Sequence, residues 1–190
     1  MASVDESSRI NFAQVRILLL DDHTIGSGIL IQIVRAFGAT KIVHCTSISD
    51  AQRHVEEGEF HLVLINSNLK EAGVYDFIHW LRRYDVPPNC FASVVLIAGH
   101  TPRSNVERAR DSGANVIMAK PVSPLSVLER LIWTAREKRS FVKCATYAGP
   151  DRRFRNEGPP LGLTGRRFDD QASPAEPGAG DPQNLASRFA

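Results

Sequence analysis

The chain has little of what staples, anchors or strongly charges a protein. It carries three cysteines, Cys45, Cys90 and Cys144, an odd number without CxxC spacing. On that pattern neither a disulfide framework nor a structural metal centre is expected, and a reducing cytoplasm is the expected compartment. No apolar run approaches the roughly 18 residues a membrane helix needs, and the first residues hold no apolar leader, so neither a span nor a secretory signal is expected. An excess of one charge is also missing. Residues 1–139 hold sixteen Lys and Arg against fifteen Asp and Glu, and residues 140–190 hold seven against six. That balance argues against the basic stripe of a general nucleic-acid binder, and no nucleic-acid partner is expected. The histidines (His23, His44, His54, His61, His79 and His100) are scattered without HExxH or paired spacing. They read as surface or partly buried residues rather than ligands.

What is present is a regular alternation of apolar strand-length runs with helix-period segments. Val15–Leu20, Lys41–Cys45, Leu62–Ile65, Ser93–Ala98 and Asn115–Ala119 read as strands. Thr24–Phe37 carries Ile25, Ile29, Leu30, Ile33, Val34 and Phe37 at helical spacing and stops at Gly38. Further helices are expected from a Ser47 or Ser49 cap to Glu57, over Val74–Tyr84, from Pro102 to Gly113, and over Ser123–Lys138. Continuous apolar strands between helices predict an α/β fold: a five-stranded parallel sheet, doubly wound and covered on both faces. In such sheets ligands gather at the carboxyl ends of the strands. Asp21-Asp22, Asn66 and Lys120 all stand at strand ends. The expected organisation is a lead-in over residues 1–13, one domain over 14–139, and a flexible Gly/Pro/Arg-rich tail over 140–190 with a disorder composition from about 171 to 184.

The acidic pair Asp21-Asp22, the third-strand slot with Asn68 two residues on, Gly113-Ala114 before the fifth strand, and Ala119-Lys120-Pro121 after it resemble the response-regulator receiver domain, the CheY-like or flavodoxin-like (βα)5 fold. The resemblance covers about residues 14–139. It implies strand order 2-1-3-4-5 and a pocket in which an acidic pair and an acceptor aspartate hold Mg²⁺, a lysine pairs with the phosphoryl group, and a Thr or Ser follows it. Carried over by position, Asp21, Asp22 and Lys120 match the pair and the lysine. Asn66 stands in the acceptor slot, Ala98 in the hydroxyl slot, Ile117 in an aromatic slot and Lys70 in a common proline slot. An amide oxygen is no nucleophile toward a phosphoryl donor, and losing a carboxylate weakens affinity for a hard cation. A degenerate pocket is therefore expected. No cofactor is required, and Asp21 and Asp22 form a weak Mg²⁺ site at best or a plain ion cluster with Lys120.

The tail holds two Arg-Arg-Phe units, Arg152-Arg153-Phe154, followed by Arg155, and Arg166-Arg167-Phe168. They read either as solvated linker paired with nearby acids or as a recognition segment, because arginine suits bidentate phosphate contacts and stacking. Tyr147-Ala-Gly-Pro-Asp-Arg-Arg153 is similar to tails of alphaproteobacterial single-domain receivers. The expected function is a non-enzymatic two-component phosphorelay protein, a pseudo-receiver acting as a phosphorylation-independent adaptor. Its expected partners are a histidine kinase, a phosphotransferase or a flagellar or regulatory target. The alternative is a regulator that binds cyclic di-GMP through the arginine-rich tail.

Overall fold

The computed structural model describes residues 11–99, 102–137 and 139–152. Five strands, β1 (Arg16–Leu20), β2 (Lys41–Cys45), β3 (Leu62–Asn66), β4 (Ser93–Ala98) and β5 (Val116–Ala119), form one sheet in the order β2-β1-β3-β4-β5. Every pairing is parallel, with Leu18 opposite Val43 and Val63, and Val63 opposite Val94. The helices are α1 (Thr24–Ala36), α2 (Ile48–Glu57), α3 (Val74–Arg83), α4 (Arg103–Ser112) and α5 (Pro124–Ala135).

The period of two along each strand explains why its residues are apolar throughout. Ile17, Leu19, Leu62, Leu64, Val95 and Ile97 pack under α1 and α5 with Leu30, Ile33, Val127 and Leu131. Leu18, Leu20, Val63, Ile65, Val94 and Leu96 pack on the other face with Val55, Phe77, Ile78 and Leu81. The sheet is thus a wall between two cores, as the sequence predicts. Ser47 caps α2 by accepting from the Asp50 N–H (3.2 Å). Ser123 and Ser126 cap each other's backbone at the start of α5, with Pro124 in its first turn.

Two expectations at the C-terminal end are corrected. The last helix stops at Ala135 rather than Lys138, because the chain turns to place Glu137 where it accepts from Asn115 Nδ2 (2.8 Å). The boundary at 139/140 also falls inside ordered structure. Strands β6 (Phe141–Lys143) and β7 (Ala148–Pro150) form an antiparallel hairpin, Val142 opposite Gly149. It lies on the amino-end side of the sheet, where the Phe141 ring centre is 5.9 Å from the guanidinium of Arg82, a charged residue only 2 % exposed. Arg82 donates to the carbonyls of Gly113 (2.9 Å), Cys90 (2.8 Å) and Ala92 (2.7 Å) and to Asn115 Oδ1 (2.6 Å). The hairpin backbone then meets α4's cap directly. A Cβ on Gly113 (φ +100°) would lie 2.5 Å from the Ala148 carbonyl oxygen, and one on Gly149 (φ +152°) would lie 2.8 Å from Gly113 Cα. Glycine is required at both places by contact as well as by conformation.

Candidate functional site

The topology brings the strand-end residues together at the carboxyl edge. Asp21 follows β1, Asn66 ends β3, and Lys120 follows β5. Asp21 and Asn66 are 4 % and 3 % exposed. Asn66 Nδ2 donates to Asp21 Oδ1 at 2.8 Å, and Lys120 Nζ donates to Asn66 Oδ1 at 3.1 Å. A carboxylate only accepts and an ammonium only donates. Between them the amide has one workable orientation, NH₂ toward Asp21 and oxygen toward Lys120, so a single neutral side chain bridges an anion and a cation.

The surrounding backbone fixes this arrangement. Asp21 Oδ1 also accepts from the His23 N–H (2.9 Å), and the Asp21 main-chain oxygen accepts from His44 Nε2 (2.8 Å). Asn66 Oδ1 accepts a second bond from the Asn68 N–H (3.2 Å). Asp22 Oδ2 accepts from the Lys70 N–H (2.9 Å), which draws the β3–α3 loop over the acidic pair. Ala98 ends β4 with a buried methyl group, and its carbonyl accepts from the Lys120 N–H (2.8 Å). Ile117 is half-buried against the core on the α2–α4 side of the sheet. Asp21, Asp22, Asn66 and Lys120 therefore share one site, with Ala98 directly behind Lys120.

The site opens into a cleft of about 860 Å³, whose other wall is apolar: Ile25, Ile29, Leu30, Ile97, Pro121 and Val122. Within that lining Ile25 is 71 % exposed; Leu125, at the start of α5 and outside the lining, is 65 % exposed. The strand-end residues predict the polar floor but not this apolar wall. The only signal for the wall is the helical spacing of Ile25 and Ile29, which fits a core-facing stripe equally well.

Of the tail residues singled out in the sequence, Arg152 is described. Its guanidinium stacks 4.3 Å from the centre of the Tyr147 ring and pairs with Asp111 at the end of α4 (2.9 Å). Tyr147 in turn donates its hydroxyl to the Pro150 carbonyl (2.5 Å). Arg153, Phe154, Arg155, Arg166, Arg167 and Phe168 lie outside the described residues.

A family model described as the response regulator receiver domain matches residues 17–132. No curated protein matches the chain. Similar solved structures include the chemotaxis protein CheY4 of Vibrio cholerae, 15 % identical over 63 % of this chain and 98 % of that one, with a TM-score of 0.58. A CheY-like receiver domain protein of Methanospirillum hungatei JF-1 is 20 % identical over 62 % of this chain and 90 % of that one, TM-score 0.56. The signal receiver domain of a signal transduction histidine kinase of Syntrophus aciditrophicus is 18 % identical over 69 % of this chain and 98 % of that one, TM-score 0.57.

Proposed function

The chain belongs to the response regulator receiver domain family, and on that premise we propose that it is a two-component signalling protein that works without being phosphorylated, as a non-enzymatic adaptor in the cytoplasm. The observation that carries this reading is the Asn66 amide, held by Asp21 on one side and Lys120 on the other. A phosphoryl acceptor at this tip has to be an oxygen nucleophile. Here the oxygen belongs to an amide and already accepts from Lys120 and from the Asn68 N–H. Ala98 offers no hydroxyl to follow a phosphoryl group.

Mg²⁺ needs an octahedral shell of oxygens, largely anionic. The donor set fits it poorly. The Asn66 NH₂ points at Asp21 with hydrogens rather than a lone pair, Asp21 Oδ1 is taken by two N–H groups, and Asp22 Oδ2 by a third. The amide NH₂ provides a positive edge to the Asp21 carboxylate, and its oxygen takes the Lys120 ammonium. The pocket is thereby satisfied by its own side chains, and this supports a domain that holds one arrangement without metal or phosphoryl group.

Partner contact in this reading uses the cleft mouth. Ile25 and Ile29 on α1 offer exposed apolar side chains in the same lining as Asp22 and Lys120, and Leu125 on α5 is a further exposed apolar residue. A helical segment of a histidine kinase, phosphotransferase or other regulatory protein suits such a ridge, with apolar anchors and a charged rim. No described residue favours the cyclic di-GMP alternative, since Arg152 is engaged by Tyr147 and Asp111. Among the described residues no helix is long and apolar enough to cross a membrane.

The test is incubation of the full chain with acetyl phosphate and Mg²⁺, followed by intact-mass measurement. The expected result is no added phosphoryl mass. A stable adduct that disappears in Asn66→Ala overturns the reading.

A further inference from the structure

Outside the lining of the cleft, one group of soft and borderline metal ligands stands out among the described residues. Cys45 closes β2, and Asp50 and His54 lie one turn apart on α2. The β2–α2 connection folds this helix face over the strand end. The Cys45 Sγ, an Asp50 carboxylate oxygen and a His54 ring nitrogen all lie within 4.8 Å of one another. Asp50 Oδ1 and His54 Nε2 are 3.8 Å apart. Tetrahedral zinc, with bonds of roughly 2.0–2.3 Å, sets ligand-to-ligand edges of roughly 3.3–3.8 Å. The three atoms are therefore at or near the required spacing, and closure by about 1 Å completes it.

Two further observations point the same way. His54 turns its other ring nitrogen, Nδ1, toward Glu57 Oε2 at 3.9 Å. Approach by about 1 Å, to hydrogen-bond distance, would make Glu57 the carboxylate that orients a ligating imidazole. In addition, a cation already sits against the group. The Arg53 guanidinium bonds Asp50 and comes within 3.5 Å of His54 Nε2. Its side chain is more than half exposed and is also held by Glu57, so it can leave Asp50 without losing every partner.

We propose that Cys45, Asp50 and His54 form a three-ligand site for Zn²⁺ or a similar borderline divalent ion, with its fourth position open to water, and that Arg53 is the stand-in cation the metal displaces. Thiolate, imidazole and carboxylate together select zinc over magnesium, so this site and the blunted acidic pocket call for different ions. On binding, a Cys45–metal bond forms, the thiol proton passes to solvent, and the guanidinium moves from Asp50 to Glu57. The site also adjoins the cleft. The Cys45 carbonyl accepts the Asp21 N–H at 3.0 Å, so an ion here pins the strand end that supports the acidic pocket.

The experiment titrates the reduced, metal-free full chain with Co²⁺, reads the thiolate-to-cobalt charge-transfer band and the visible tetrahedral bands, and then displaces Co²⁺ with Zn²⁺ against a chromophoric chelator. The expected result is one equivalent with a thiolate band. Cys45→Ser abolishes the band, and Cys144→Ser leaves it. His54→Ala lowers affinity by about tenfold or more, on the scale seen when a ligand's environment is lost, and Arg53→Ala raises it. If Cys45→Ser does not fold, Asp50→Asn and His54→Ala, on the accessible face of α2, decide the same question. Absence of a thiolate band, a band lost in Cys144→Ser, or affinity unchanged in both Asp50→Asn and His54→Ala overturns the site. Weaker binding in Arg53→Ala overturns the role given to that arginine.

Discussion

A nitrogen in place of one oxygen at position 66 changes which neighbours the β3 tip can hold. The amide donates to Asp21 and accepts from Lys120, whereas an aspartate could only accept. Asn66→Asp sets two carboxylates against each other at a 2.8 Å contact. It should cost about 1–3 kcal/mol in metal-free buffer. Thermal unfolding with and without millimolar Mg²⁺ checks this: the variant should gain melting temperature from the ion, and the natural protein should gain little. The polar floor was legible because Asp21, Asn66 and Lys120 each end an apolar run. The direction of the amide was not legible, because it depends on which charges face it across the sheet. Nor was the nearness of Cys45 to Asp50 and His54, since a strand end and a helix face meet only after folding. Arg82 was equally hidden, as one arginine in a helix whose last turn reads as surface. Arg82→Leu takes this donor from three main-chain carbonyls, while Asn115 Oδ1 keeps only the Val94 N–H. The expected loss is at least about 3 kcal/mol, read from a urea midpoint. Arg82→Lys should recover little, because an ammonium lacks the planar fork.

Among the elements, the five strands and four of the helices fall close to where periodicity puts them, because both cores are built from uninterrupted apolar runs. The β6–β7 hairpin escaped that logic. Its strands are three residues each, Phe-Val-Lys and Ala-Gly-Pro, too short for an apolar period to show. What orders it is contact at a distance: Gly149 against Gly113, and Arg83 donating to the carbonyls of Cys144 (3.2 Å) and Ala145 (2.7 Å). Gly113→Ala should loosen this seat and lower stability by about 1–3 kcal/mol through a forbidden backbone angle and the clash with Ala148. Tyr147 adds a pH dependence. Burial raises its hydroxyl above the ordinary value of 10.0, so the folded state keeps a proton that the unfolded state releases. The stability this contributes is complete below pH 10 and is lost as pH climbs through the folded value. Denaturant midpoints taken on either side of pH 10 should fall with rising pH in the natural protein and fall less in Tyr147→Phe.

For the whole molecule, the hairpin belongs to the folded unit although it follows the last helix. A chain ending at residue 136 should melt several degrees below one ending at 152, since it exposes Arg82 and the Gly113 cap; differential scanning calorimetry of the two measures the size of the drop. The acidic cleft lies at the carboxyl ends of the strands and the hairpin at the amino ends, separated by the length of β4, six residues, or roughly 20 Å. Arg152 therefore stands at the pole opposite the cleft, tied there to α4 by Asp111. A binder that holds the Arg152 end would leave the cleft uncovered, so the domain offers two separate ends, each free to be occupied while the other is full.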